Sequence, residues 1–401
     1  MFGNKLKRIY CDHASGTAIV PEVFNAMNPY FTESFHNPGS IYKEGVAASQ
    51  MIEESRKEVA EALRARPSEI VFTDGGTEAN NMAILGTVRK FQKDHPEKTA
   101  HIVTTKIEHA SVIEVCKILE TEGVLVTYLS VDENGFLDIK ELKESLGANT
   151  VLISIGYVNG EIGTIQDIKS VMKIVRHHRK HNQTSYPVIH TDAIQAANYV
   201  TEIGVLQLGV DLMTINASKI YGPKKIGVLF VKTGVVIQPI IYGGNQEGGM
   251  RSGTENVPYI IGMARSLTLA RKLQPSELLR LQELQKYTKE RLRHLFPEII
   301  VNAENAETIP NIINLTFPRI SHEELVIRLD AKGIMASVKS ACKAGEGGDS
   351  HVIKAISHSD RPTGSIRFSF GRTTKRKDVE YVLTELQKIV TEMNETYKRY
   401  Y

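Results

Sequence analysis

The chain carries only three cysteines in 401 residues, Cys11, Cys116 and Cys342, an odd number at wide spacing. That excludes a complete disulfide framework and any Cys-x-x-Cys metal site, and it fits a reducing compartment. Excess charge of one sign is also lacking, since the formal net charge is +3. A chain so nearly balanced gives no argument for nucleic acid or an acidic membrane surface. No apolar run approaches the roughly 20 residues of a membrane span, and residues 1–8 are polar and basic without the apolar stretch of a secretory signal. The expectation is a cytoplasmic protein with no membrane partner and no direct nucleic-acid contact. Internal repeats and low-complexity segments are absent as well.

What is present is ordinary globular composition, 41% hydrophobic and 24% charged, in a chain long enough to bury a full core without staples. Short apolar runs end in polar residues and alternate with helical patterns. Glu69-Ile70-Val71-Phe72-Thr73, Ala100-His101-Ile102-Val103-Thr104 and Thr150-Val151-Leu152-Ile153-Ser154-Ile155 read as buried strands. So do Pro187-Val188-Ile189-His190-Thr191, Leu212-Met213-Thr214-Ile215 and Gly227-Val228-Leu229-Phe230-Val231. Residues 47–65 form a helical pattern, and Val112, Cys116 and Leu119 mark another. Such alternation predicts a mostly parallel sheet covered by helices. After about residue 257 helices dominate, at 276–295 and 375–397, with strands predicted at 311–317 and 365–370. The division predicted is a large α/β domain at 16–256 and a smaller α+β domain made of 1–15 and 257–401. His177-His178-Arg179-Lys180-His181 reads as a solvated helix end, and no metal site is expected.

Four strand ends carry chemistry. In Phe72-Thr73-Asp74-Gly75-Gly76-Thr77-Glu78-Ala79-Asn80-Asn81-Met82, a strand gives way to two glycines and a helix. Free N–H groups and a helix dipole around Gly76 and Thr77 make an anion site there. An ordinary turn with Thr77 as cap is equally compatible with that stretch alone. Asp192, in His190-Thr191-Asp192-Ala193-Ile194-Gln195, ends another strand. Lys219 follows one helix-length stretch and one strand later, so both can face one crevice at the carboxyl ends of the sheet. A lysine that holds an aldehyde as a Schiff base, a carboxylate for a pyridinium nitrogen and a phosphate-type turn together suit pyridoxal phosphate. His109 lies after a further strand, where a flat imidazole can stack on a ring and move protons. Taken singly, Asp192 reads as a helix cap, Lys219 as a surface lysine and His109 as a satisfied polar residue; the combination reverses that reading.

The cysteines separate by context. Cys116 lies on an apolar helix face and Cys11 in a short strand, which reads as structural. Cys342 sits in Ser337-Val338-Lys339-Ser340-Ala341-Cys342-Lys343-Ala344-Gly345-Glu346-Gly347-Gly348-Asp349. Lys339 and Lys343 favour a thiolate, and three glycines favour a swinging loop at about 337–350. A chance cysteine in a flexible surface loop is the alternative on that stretch alone.

With these motifs in this order, the chain resembles the cysteine desulfurases of the NifS/IscS type, fold-type I pyridoxal phosphate enzymes. The resemblance runs almost end to end. It takes in Tyr10-Cys11-Asp12, Asn37-Pro38-Gly39-Ser40-Ile41, Glu108-His109 and Asn159-Gly160-Glu161-Ile162-Gly163. It continues through Ser218-Lys219-Ile220-Tyr221-Gly222-Pro223-Lys224, Arg251-Ser252-Gly253-Thr254-Glu255-Asn256, Ser340-Ala341-Cys342 and Ser365-Ile366-Arg367-Phe368-Ser369. The resemblance implies that Lys219 binds the cofactor covalently, Asp192 pairs with its ring nitrogen, Gln195 with its ring oxygen, and His109 stacks on it. It implies that Gly76, Thr77 and Ser218 hold the phosphate, joined by Thr254 from the other subunit of a homodimer. Arg367 and Asn159 would bind the substrate, Arg367 through the carboxylate. Cys342 would take sulfur from L-cysteine as a persulfide, release L-alanine, and pass the sulfur to an acceptor protein, an iron–sulfur scaffold or a tRNA-thiolation enzyme. The chain departs from the family at Gly160, where a second asparagine is common, at Asn216 and Ser218 in the phosphate segment, at Gly248, where arginine is common, and in the stretch His13-Ala14-Ser15-Gly16-Thr17. Two other readings stand beside this one. A selenocysteine lyase or aminotransferase-like enzyme would not depend on Cys342, and a non-catalytic sulfur-assembly partner would not bind the cofactor.

Overall fold

The computed structural model describes residues 7–318, 320–338, 350–357 and 364–400. Cys342 and most of the stretch at 337–350 lie outside the described residues. Seven strands form the central sheet: β2 (Ile70–Thr73), β3 (His101–Thr105), β4 (Leu125–Leu129), β5 (Thr150–Ser154), β6 (Val188–Asp192), β7 (Leu212–Asn216) and β8 (Gly227–Val231). Their order is β2-β8-β7-β6-β5-β3-β4. β7, β6, β5, β3 and β4 are parallel, and β8 runs antiparallel to both β2 and β7. The strands β5, β6 and β8 are buried at every residue, which is why they read as continuous apolar runs. Edge strand β4 escapes that signal because it is half-solvated, with Leu125 exposed.

Helices α4 (Gly76–Asp94), α5 (Ala110–Thr121), α6 (Ile139–Ser145), α7 (Ile168–Asn182) and the single turn α8 (Val205–Leu208) connect these strands. They follow α1 (Pro21–Met27), α2 (Pro29–Thr32) and α3 (Lys43–Leu63). Beyond the sheet come α9 (Val257–Leu295), β9 (Ile300–Val301), β10 (Ile312–Thr316), α10 (His322–Ala331) and β11 (Ile334–Met335). The chain closes with α11 (His351–Ile356), β12 (Ile366–Ser369) and α12 (Arg376–Tyr400). β12, β10 and β9 form a three-stranded antiparallel sheet, while β1 (Ile9–Tyr10) pairs in parallel with β11. The first residues therefore return to the C-terminal part of the chain.

Helix α9 corrects the sequence reading at 276–295. It is one helix of 39 residues that runs through Pro275. Proline inside a helix removes a hydrogen bond and crowds the preceding turn. Here packing outweighs that cost: Ala270 and Gln274 before the proline and Leu281 and Leu284 after it are all buried. Among the described residues no helix is long and apolar enough to cross a membrane.

Burial of histidine makes a pH prediction. His13 and His322 are pushed down to about 4 and His190 to about 3, in each case by burial. Below about pH 6.5 the unfolded chain takes up these protons and the folded chain does not, so stability falls as pH drops toward 4. Glu108 opposes one of the three. Burial raises it to about 7, so the folded chain alone holds that proton between about 4.5 and 7. Three groups against one gives a net loss. The urea midpoint should be clearly lower at pH 4.5 than at pH 7; an unchanged midpoint would contradict these burials.

Candidate active site

The carboxyl ends of β2, β3, β5, β6 and β7 surround one cavity of about 210 Å³. Gly76, Thr77, His109, Asn159, Asp192, Gln195, Lys219 and Arg367 all line it. Residues far apart in sequence meet there because parallel strands present their ends on one side of the sheet.

At the end of β2 the chain turns through Gly75, whose φ of 130° only glycine adopts readily, and α4 starts at Gly76. Gly75 is the N-cap, not Thr77, and it contributes no side-chain bond. The first N–H groups of a 19-residue helix thus face the cavity without a side-chain cap. A Cβ on Gly76 would lie 2.3 Å from Ile194 Cδ1, so a larger residue there would make the Ile194 side chain shift.

Asp192 ends β6 with 9% exposure. Its Oδ1 accepts from the Ile194 N–H at 3.0 Å and its Oδ2 from Asn80 Nδ2 at 2.8 Å. The same Asn80 nitrogen donates to Ser111 Oγ at 2.8 Å, and Ser111 Oγ lies 2.8 Å from His109 Nδ1. His109 caps α5 by accepting the Ser111 N–H on Nδ1 at 3.1 Å. A backbone N–H can only donate, so Nδ1 carries no proton and the neutral ring keeps its proton on Nε2. Asn80 is fully buried on α4.

Lys219 ends the 3₁₀ turn Ala217–Lys219 that follows β7, and its Nζ donates to the Ser15 carbonyl. The neighbouring lysines differ. Lys224 and Lys225 are exposed, and Lys225 pairs with Asp74 at 3.1 Å. Gln195 Nε2 donates to the Ala14 carbonyl at 2.9 Å. Ser218 does not line the cavity. Its N–H donates to Asn216 Oδ1 at 2.9 Å and its carbonyl accepts from Thr17; of this segment Asn216 reaches the cavity beside Lys219. Thr254 is exposed and also lies outside the lining.

Arg367, on β12, is 2% exposed. Its Nη1 donates to the Gly160 carbonyl at 2.7 Å, and its Nη2 to Asp12 Oδ1 at 2.8 Å and Ser15 Oγ at 2.7 Å. Asn159 lines the cavity and bonds backbone through both ends of its amide. Nδ2 donates to the Ile107 carbonyl at 2.9 Å, and Oδ1 accepts from Glu161 and Ile162. It shapes the loop after β5 on which Gly160 sits. A Cβ at Gly160 would make ordinary contact with Gln195 at 3.5 Å, so glycine is not required there by space. Glu108 fastens the same loop, with Oε1 accepting from Thr105 at 2.7 Å and Oε2 from the Gly156 N–H at 2.9 Å.

The sequence reading passed over Asn80, Ser111, Ser15 and the partner of Arg367. Asn80 lies inside the stretch Phe72–Met82, but only its helix position, facing β6, distinguishes it from Asn81. His351, at the start of α11, was missed too; it lines the cavity and bonds the Glu108 carbonyl at 2.9 Å. Cys11 and Cys116 are fully buried, and burial pushes both thiols up to about 12. Neither is a thiolate near neutrality.

An amine, a carboxylate, a flat imidazole and an uncapped helix start around one cavity match the aldehyde, ring nitrogen, ring face and phosphate of pyridoxal phosphate. The donor set therefore fits the cofactor. The model of the aminotransferase class-V family matches residues 9–382. A cysteine desulfurase IscS of Dictyoglomus turgidum is 39% identical over 388 residues, covering 96% of this chain and 95% of that protein. One of Methanosarcina thermophila is 39% identical over 389 residues, covering 96% and 93%. Among solved structures, a NifS-like protein superposes with a TM-score of 0.87 at 32% identity over 96% of this chain and 100% of its own. SspA in complex with cysteine does so with a TM-score of 0.77 at 32% identity, covering 90% and 98%. The chain belongs to the aminotransferase class-V family and, within it, to the pyridoxal phosphate-dependent cysteine desulfurases.

Proposed function

We propose that the protein converts L-cysteine to L-alanine and carries the sulfur on Cys342. The observation that carries this is the convergence of Lys219 and Asp192 on one cavity at the uncapped start of α4. Pyridoxal phosphate, when bound, supplies an electron sink for the carbon that bears the substrate amino group. In this reading Lys219 would hold the aldehyde carbon, and Lys219 or His109 would move protons at the substrate carbon. Asp192 would pair with the ring nitrogen, His109 would pack against the ring, and Gln195 would bond the ring oxygen. The N–H groups of Gly76 and Thr77 take the phosphate, with Asn216 nearer the cavity than Ser218. Arg367 binds the substrate carboxylate from the Gly160 side, and Asn159 holds that loop in place.

The sulfur step balances without an external oxidant. The Cys342 thiolate attacks the substrate sulfur, the carbon–sulfur bond breaks, and the carbon keeps the electron pair and gains a proton. The products are alanine and a Cys342 persulfide, and the persulfide passes its outer sulfur to an acceptor thiolate. The acceptor belongs to iron–sulfur cluster assembly or tRNA thiolation, and the setting is cytoplasmic. The domain division at 16–256 against 1–15 with 257–401 is part of the same reading. It is supported by the confinement of the seven-stranded sheet to residues 70–231 and by the pairing of β1 with β11. A homodimer is supported by exposed Phe24, Phe31, Phe35, Ile41, Tyr42 and Val46, all within one short part of the chain. It would bring Thr254 to the other subunit's cavity. A solution mass equal to one chain sinks the dimer.

The test is L-cysteine added to the purified protein, with alanine measured and the Cys342 peptide weighed. One added sulfur on Cys342, lost with the alanine in Cys342→Ala, is the expected result. Undiminished sulfur release in Cys342→Ala would overturn the persulfide route.

A further inference from the structure

Asn80 links both partners of the ring in the reading above, Asp192 directly and His109 through Ser111, and no motif singles it out. Both protons of its Nδ2 are spent, one on Asp192 Oδ2 and one on Ser111 Oγ, each at 2.8 Å. Since Ser111 Oγ receives one of these protons, its own proton is directed to His109 Nδ1 at 2.8 Å. The bonds therefore run in one direction, from Asn80 through Ser111 to the imidazole. Asn80 is 0% exposed, and among the described residues its Oδ1 has no hydrogen-bond partner. A buried amide that leaves its own carbonyl unsatisfied is costly to keep for stability alone. What it gains is a rigid link from the end of β6 to the start of α5 across the start of α4.

We propose that Asn80 is a positioning residue that sets the Asp192 carboxylate and the His109 imidazole together, so that the ring nitrogen and ring face of pyridoxal phosphate are gripped in one geometry. The inference rests on the assignment of Asp192 and His109 to the cofactor. Ser111 relays the link on the His109 side only. Asp192 keeps its second bond, to the Ile194 N–H, whatever happens at Asn80, so its carboxylate stays in the cavity but loses its fixed rotation.

The experiment measures two properties of the loaded protein that do not depend on turnover: how fast it releases its cofactor on dilution, and the visible circular dichroism of the bound ring. Asn80→Ala is expected to release cofactor about tenfold faster, the effect of losing a hydrogen bond to a charged group, and to lose most of the visible dichroism. Ser111→Ala is expected to change the dichroism while keeping release within about twofold of the parent. Parental release and dichroism in Asn80→Ala overturn the proposal. If Asn80→Ala does not fold, Ser111→Ala decides: an altered dichroism supports the link and a parental one overturns it. Asp192→Ala and His109→Ala serve as references. If these two hold cofactor as the parent does, the assignment of the pair to the ring fails; if they lose it and Asn80→Ala does not, only the present inference fails.

Discussion

Replacing Lys219 by alanine removes turnover, with alanine production down at least about 10³-fold, and removes the visible absorption that lysine-bound pyridoxal phosphate gives the purified protein. Among the described residues no other lysine lines the cavity. Lys224 and Lys225 lie beyond the Gly222-Pro223 turn and are exposed, so neither reaches the cavity that Lys219 lines. The fold should not suffer. Lys219 is half-buried at the rim of a cavity, and the bond it gives to the Ser15 carbonyl is replaceable by water. The spectrum and an alanine assay of Lys219→Ala, beside Lys224→Ala as a control, decide the matter. A colourless parent protein that stays colourless with added pyridoxal phosphate would remove the basis of the proposed reaction.

The largest stability loss is expected from Asp12→Ala. Exposed pairs such as Lys117 with Glu114, at 55% and 52% side-chain exposure, are worth little. Arg367 and Asp12 differ, at 3% and 19%. Without Asp12 the guanidinium stays buried with only the Gly160 carbonyl and Ser15 Oγ as acceptors. Removing one partner of a buried pair costs about 3–5 kcal/mol, which corresponds to a fall in Tm of about 4–6 °C for a chain of this length. Asp12→Asn keeps the shape and an acceptor oxygen, and should lose less. KM for L-cysteine should rise in both variants, because Asp12 and Ser15 aim the guanidinium proposed to bind the substrate carboxylate. Urea unfolding and a KM measurement check this. An Asp12→Ala protein within about 1 kcal/mol of the parent would mean that water replaces the carboxylate.

Local pattern accounts for what could be read without coordinates. Buried strands must be apolar throughout, and their carboxyl ends must then meet solvent, so Asp192, Lys219 and the Gly75-Gly76 turn announce themselves as polar or glycine residues after apolar runs. Edge strand β4 has no such run. Pro275 looks like a boundary because the packing that carries α9 past it comes from residues far away in the chain. Ser218 and Asn216 are two positions apart, and only the turn Ala217–Lys219 decides that Asn216 reaches the cavity. Asn159 reads as a substrate ligand, and only the structure shows that it also holds its own loop, through Nδ2 to the Ile107 carbonyl and Oδ1 from the Glu161 and Ile162 N–H groups.

The sequence by itself determined the mostly parallel sheet and the cofactor class, and it singled out Lys219, which lines the cavity, because each depends on residue type at a strand end. The tertiary structure alone decided how those residues are held. Asn80 joins Asp192 to His109, and Asp12 with Ser15 holds Arg367, through bonds between residues as many as 355 positions apart. Hydrogen bonds of that span leave no periodicity in a sequence; they exist only once β12 and the first residues have been brought together beside the sheet.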